Sequence, residues 1–210
     1  MPQASPTSSA TYSATWIGID GFSNSSLIQA GTEQDYYNGA PHYAVWWTTS
    51  ANGFYEQPIS HAVYAGDPIS AKIISAGSGN WTITLSDSSG QFFSKTLTYS
   101  GPGTSAEWIV EAPGVNGRQS TIANYSNGLQ NPMLFNPTTG GVTGRVSVSA
   151  NGTSLIPVAL TYSTDSGQLV ALTRTSRRSY TYTPTSTPSP PDTSGSAFNM
   201  AYGSVAPPTP

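Results

Sequence analysis

The chain of 210 residues contains no cysteine. That excludes a disulfide framework, a thiol nucleophile and the common thiolate zinc sites. Charge is scarce too. Seven Lys and Arg against ten Asp and Glu leave a net charge of -3, with no basic footprint for nucleic acid or an anionic membrane surface. So few carboxylates also mean few ion pairs to lose on protonation and little self-repulsion afterwards, so tolerance of acid is expected. The longest apolar run, Leu155 to Leu160, is broken by Pro157 and is far too short to cross a bilayer. Met1 to Pro6 lacks the charged and apolar regions of a signal peptide. Histidine is limited to His42 and His61, and there is no Gly-x-Ser-x-Gly elbow or phosphate-cradling glycine loop, which argues against a serine triad and nucleotide chemistry. Asp20, Asp35 and Asp87 stand in no loop with calcium-ligand spacing, and no metal or cofactor is expected.

What is present is turn chemistry and alternation. Twenty-one glycines and 17 prolines punctuate short segments in which apolar and polar residues alternate. Thr15 to Asp20 is one such segment and ends in an Asp-Gly turn; Ser26 to Gly31 is the next, with Leu27 and Gln29 on one face. His42 to Thr49 carries Tyr43, Trp46 and Trp47, an aromatic strand suited to a sheet face. Ile69 to Ser75, Trp81 to Leu85 and Gln91 to Tyr99 form a meander across Gly-rich turns. Val142 to Ala150, Leu155 to Tyr162, Gln168 to Arg174 and Ser179 to Thr183 read as further strands. No stretch shows sustained helical periodicity with caps. The expectation is an all-β protein, an antiparallel sandwich of two sheets. Residues 1–11 read as a flexible lead-in, 12–183 as the folded domain, and the Ser/Thr/Pro-rich 184–210 as a disordered tail with Phe198, Met200 and Tyr202 as its apolar anchors.

The segment Ala106 to Glu111 stands apart. Alternation puts Glu107, Ile109 and Glu111 on one face and Ala106, Trp108 and Val110 on the other. Two carboxylates on an otherwise apolar strand cost desolvation energy unless something compensates. The chemistry available is therefore polar residues on apolar strands: Asp20, Gln29, Glu107 and Glu111.

Trp16-Ile-Gly-Ile-Asp-Gly21, Leu27-Ile-Gln-Ala-Gly31 and Ala106-Glu-Trp-Ile-Val-Glu111 together resemble the signature blocks of the glutamic peptidases, or eqolisins, particularly bacterial members. The resemblance runs from about Thr11 to about Thr183. It implies a lectin-like sandwich with the site on a concave sheet face, and a pepstatin-insensitive acid endopeptidase, monomeric, secreted and made with a propeptide, whose substrate is polypeptide. It places the catalytic glutamate on Glu111 and the catalytic glutamine on Gln29, with Trp16 and Asp20 flanking them. Asp20 would orient Gln29 or the attacking water, and Trp46, Trp47 and Glu107 would support the site or bind substrate. Family members also carry a glutamate in the aromatic strand, where this chain has Thr48 or Thr49; Glu56 is placed to replace it only after a loop rearrangement. The family's segment of roughly 30 residues before the first block is short here, which would expose sheet edges. The competing reading is a non-catalytic lectin-like module holding polysaccharide or peptide on the same face.

Overall fold

The computed structural model describes residues 1–21, 24–103, 105–125, 133–135, 147–148, 153–154, 156–163, 166–172, 186–188, 198–202, 205 and 208–209. The elements are β1 (Ala14–Asp20), β2 (Leu27–Tyr37), β3 (Ala40–Thr49), a 3-10 turn (Ser50–Asn52), β4 (Gln57–Pro58), β5 (Ser70–Gly77), β6 (Asn80–Asp87), β7 (Gly90–Thr98), β8 (Ser105–Glu111), β9 (Gly114–Val115) and β10 (Arg118–Gln119). They continue as β11 (Met133–Phe135), β12 (Ser147–Val148), β13 (Thr153–Ser154), β14 (Ile156–Ser163), β15 (Ser166–Leu172), β16 (Ser186–Pro188) and β17 (Phe198–Tyr202).

Two antiparallel sheets carry the architecture, one of seven strands in the order β14-β15-β8-β1-β2-β3-β4 and one of three, β5-β6-β7. Strict alternation divides the larger sheet into two faces. Ile17 and Ile19, Ile28 and Ala30, Val45 and Trp47, and Ala106, Trp108 and Val110 turn toward Trp81, Ile83 and Leu85 of the smaller sheet and form the main core with them. Each aliphatic or aromatic side chain fully buried there contributes about 1.5–3 kcal/mol. The opposite face holds a second, smaller cluster of Ala14, Trp16, Trp46 and Ile109.

Strand β2 runs past Gly31 to Tyr37, six residues beyond the end expected from the sequence. Gly31 does not terminate it. Here glycine is the residue that lets another backbone approach, since a Cβ at this position would collide with the Thr15 carbonyl oxygen and Trp16. The β2–β3 hairpin turns at Asn38 and Gly39, both left-handed at φ 52° and 77°, the two-residue turn whose twist matches the strands.

Parts of both ends are packed. Ala4 and Ser5 are buried, the Ser5 amide donates to the Asn124 carbonyl, and the Gly66 amide donates to the Met1 carbonyl. Residues 1–5 are thus packed, because they hydrogen-bond across the gap between two loops. In the tail, β17 pairs with β11 and with β16, and Tyr202 meets Tyr125 edge-on at 6.0 Å. The strand expected at Ser179 to Thr183 lies outside the described residues. The substitution Gly31→Ala is expected to destabilise the fold by about 1–3 kcal/mol through overpacking, read as a lower urea midpoint with an unchanged slope.

Candidate active site

The face opposite the main core is a grid set by register. Gly18 lies between Gln29 on β2 and Glu107 on β8, Trp16 between Gly31 and Ile109, and Ala14 between Glu33 and Glu111. Strand β3 extends the rows with Thr48 beside Gln29, Trp46 beside Gly31 and Ala44 beside Glu33. Strand β1 presents only Ala14, Trp16 and Gly18 here. Its single large side chain stands midway between Gln29 and Glu111, which are offset by two strands, about 10 Å, and four residues, about 13 Å.

The Trp16 indole N–H donates to Glu111 Oε2 at 2.8 Å. Burial holds the Glu111 carboxyl above its ordinary range; the indole bond opposes that shift, and the Glu56 carboxylate adds to it. Glu33 is pushed up to about 8, first by burial and then by the neighbouring charges of Glu56 and Asp35, and it lies within hydrogen-bonding reach of Glu56. Asp35 is raised to about 6 by burial, against the pull of the Ser13 amide that it accepts at 3.1 Å. Glu33, Asp35 and Glu56 line one cleft of about 520 Å³ together with Tyr12, Tyr37, Tyr55 and Phe54. Among the described residues no group of three or more His, Asp or Glu is arranged to hold a metal ion.

The model of the peptidase A4 family matches residues 1–179, most of the chain. The protein belongs to that family, the glutamic peptidases or eqolisins. The same architecture recurs in solved structures. Aspergilloglutamic peptidase from Aspergillus niger is 20% identical with a TM-score of 0.50, covering 77% of this chain and 99% of its own. Scytalido-glutamic peptidase with a peptide-based transition-state analogue is 20% identical with a TM-score of 0.53, covering 80% and 87%. SCP-B, an eqolisin in complex with the tripeptide Ala-Ile-His, is 21% identical with a TM-score of 0.51, covering 82% and 87%. No curated protein matches the chain in sequence.

Not every residue singled out in the sequence lies on the site face of this peptidase. Trp16, Gln29, Trp46, Glu107 and Glu111 do. Trp47 does not: as the neighbour of Trp46 on a strand it points the other way, packs against the main core and has the Lys95 ammonium 5.1 Å from its ring. Asp20 has a left-handed backbone, φ 69°, which turns its buried carboxylate to accept from the Tyr99 hydroxyl at 2.8 Å and the Gly103 amide at 2.9 Å. It thereby ties the end of β1 to the approach to β8. Two residues the sequence reading missed, Glu33 and Asp35, were available in it: they continue the Gln29, Gly31 alternation once β2 is allowed to pass its glycine.

Because Glu33 and Asp35 bind protons more tightly folded than unfolded, the stability they confer is full below the unfolded carboxylate range, near pH 4, and is lost as pH rises through about 6 and then about 8. The thermal midpoint is expected to fall by roughly 5 °C between pH 4 and pH 8, and Glu33→Gln to flatten that slope in calorimetry. Trp16→Phe removes the donor that holds Glu111 down, so the Glu111 titration followed by carboxyl NMR should move to higher pH by about one unit.

Proposed function

We propose that this peptidase is an acid endopeptidase in which Glu107 is the general base and Gln29 the oxyanion donor. The observation that carries the reading is register: Glu107 and Gln29 lie in one row of the same sheet face with only Gly18 between them. Ionised Glu107 takes a proton from the water that attacks the scissile carbonyl and later delivers it to the leaving amine. The Gln29 amide N–H stabilises the developing oxyanion, a contribution of about 3 kcal/mol for one fixed donor. Trp46 offers another donor on this face: its buried indole N–H has no hydrogen-bond partner among the described residues, and a peptide carbonyl laid across the face would satisfy it.

Glu111, on which the resemblance places the base, lies two rows further along the sheet: by strand spacing its Cα is roughly 16 Å from that of Gln29, too far for both to meet one scissile carbonyl, and its carboxylate is engaged by the Trp16 indole at 2.8 Å. The acid working range follows from the same cleft: Glu33 and Asp35 stay protonated and uncharged at low pH, sparing it the mutual repulsion that neutral pH brings. Work in acid surroundings fits the low charge, and secretion rests on the family resemblance alone.

The test is cleavage of a denatured protein between pH 2 and 7 with pepstatin present. Activity at acid pH should persist in the wild-type chain, fall about 10²–10³-fold in Gln29→Ala and fall roughly 10²–10⁴-fold in Glu107→Gln, with circular dichroism unchanged. Loss in Glu111→Gln but not in Glu107→Gln would transfer the base to Glu111. A folded, inactive wild-type chain would favour a binding module.

A further inference from the structure

We propose that Glu56 is a positioning residue of this site, its carboxyl sharing a proton with Glu33 and so seating the loop of residues 50–56 against the sheet face that carries Glu111. The inference rests on the peptidase reading only for its kinetic arm. Its starting point is Thr48, which stands where the family resemblance calls for a glutamate. The Thr48 hydroxyl is 2.7 Å from Asn52 Oδ1 and 3.0 Å from the Tyr55 carbonyl oxygen. That carbonyl also accepts from Asn52 Nδ2 at 3.2 Å and Gln57 Nε2 at 3.0 Å. The Phe54 amide donates to the Thr49 carbonyl at 3.1 Å. Threonine therefore gathers the loop onto the end of β3, and the loop delivers a carboxylate from another direction.

What Glu56 meets is Glu33, which projects from β2 in the same row as Glu111 with only Ala14 between them. Phe54, Tyr55 and Glu56 form one wall of the cleft, and Glu33, Asp35, Tyr37 and Tyr12 face them. Two carboxyl groups in hydrogen-bonding reach are held together only while one keeps its proton. Asp35, Glu111 and His42 are the other titratable groups acting on this pair or on its neighbours, and the 113–116 segment that completes the cleft adds no ionisable side chain. The shared proton is thus a pH-dependent link from the tip of the loop to β2.

Glu56→Gln keeps a hydrogen-bonding group and removes the charge; Glu56→Ala removes both. Carboxyl NMR titration of the intact chain should show Glu33 titrating well above the usual carboxylate range in the wild type and falling by about one unit or more in both variants, with Glu111 falling by less. In kinetics, Glu56→Ala should raise KM several-fold with kcat largely kept, while Glu56→Gln restores KM. An unchanged Glu33 titration in Glu56→Ala overturns the proposal whether or not the chain cleaves peptides. Absence of wild-type cleavage with the NMR shifts intact would count against the peptidase chemistry alone.

Discussion

The register of β1 between β8 and β2 is the constraint on which the rest of this molecule depends. Six consecutive residue pairs on one side and seven on the other are in unbroken antiparallel register, and a slip of one residue would exchange the two faces of the sheet. Trp16 would then enter the inter-sheet core and Ile17 would stand beside the acidic cleft. The asymmetry between a core face of isoleucines and a site face of Ala14, Trp16 and Gly18 makes that slip prohibitive. Of the small residues that flank the tryptophan, Gly18 makes room for the indole ring itself, and Ala14 stands between Glu33 and Glu111.

Tryptophan links packing to electrostatics. Its ring fills the room left by Gly18 and completes the small cluster with Trp46 and Ile109, while its N–H holds Glu111 at one orientation. A buried carboxylate with that single fixed donor is poised between two tendencies, burial favouring the protonated form and the indole favouring the ionised one.

Much of this arrangement was legible from alternation alone. The two carboxylates of β8, the tryptophan of β1 and the glutamine of β2 fall on one face because strands repeat every two residues, which needs no tertiary information. Glu33 and Asp35 were hidden by reading a glycine as a stop, when its meaning was the close passage of Trp16. Trp47 was misplaced because aromaticity was weighed above position; its neighbour Trp46 occupies the face it could not. Asp20 turned away because a single left-handed residue breaks the alternation at the strand end. Glu56 and the packed residues 1–5 depend on contacts between segments distant in sequence, and no local pattern encodes those.

The two-residue strand β4 has a consequence for how a peptide can be held. Gln57 and Pro58 pair with Trp47 and Trp46, and the Ile59 amide continues onto the Val45 carbonyl, so beside the tryptophans the rim of the larger sheet is already occupied. Proline at that rim offers no further N–H. A substrate cannot be read there by adding itself as one more strand; at that level it must be draped across the strands, its direction set by side chains rising from the sheet rather than by ladder hydrogen bonds.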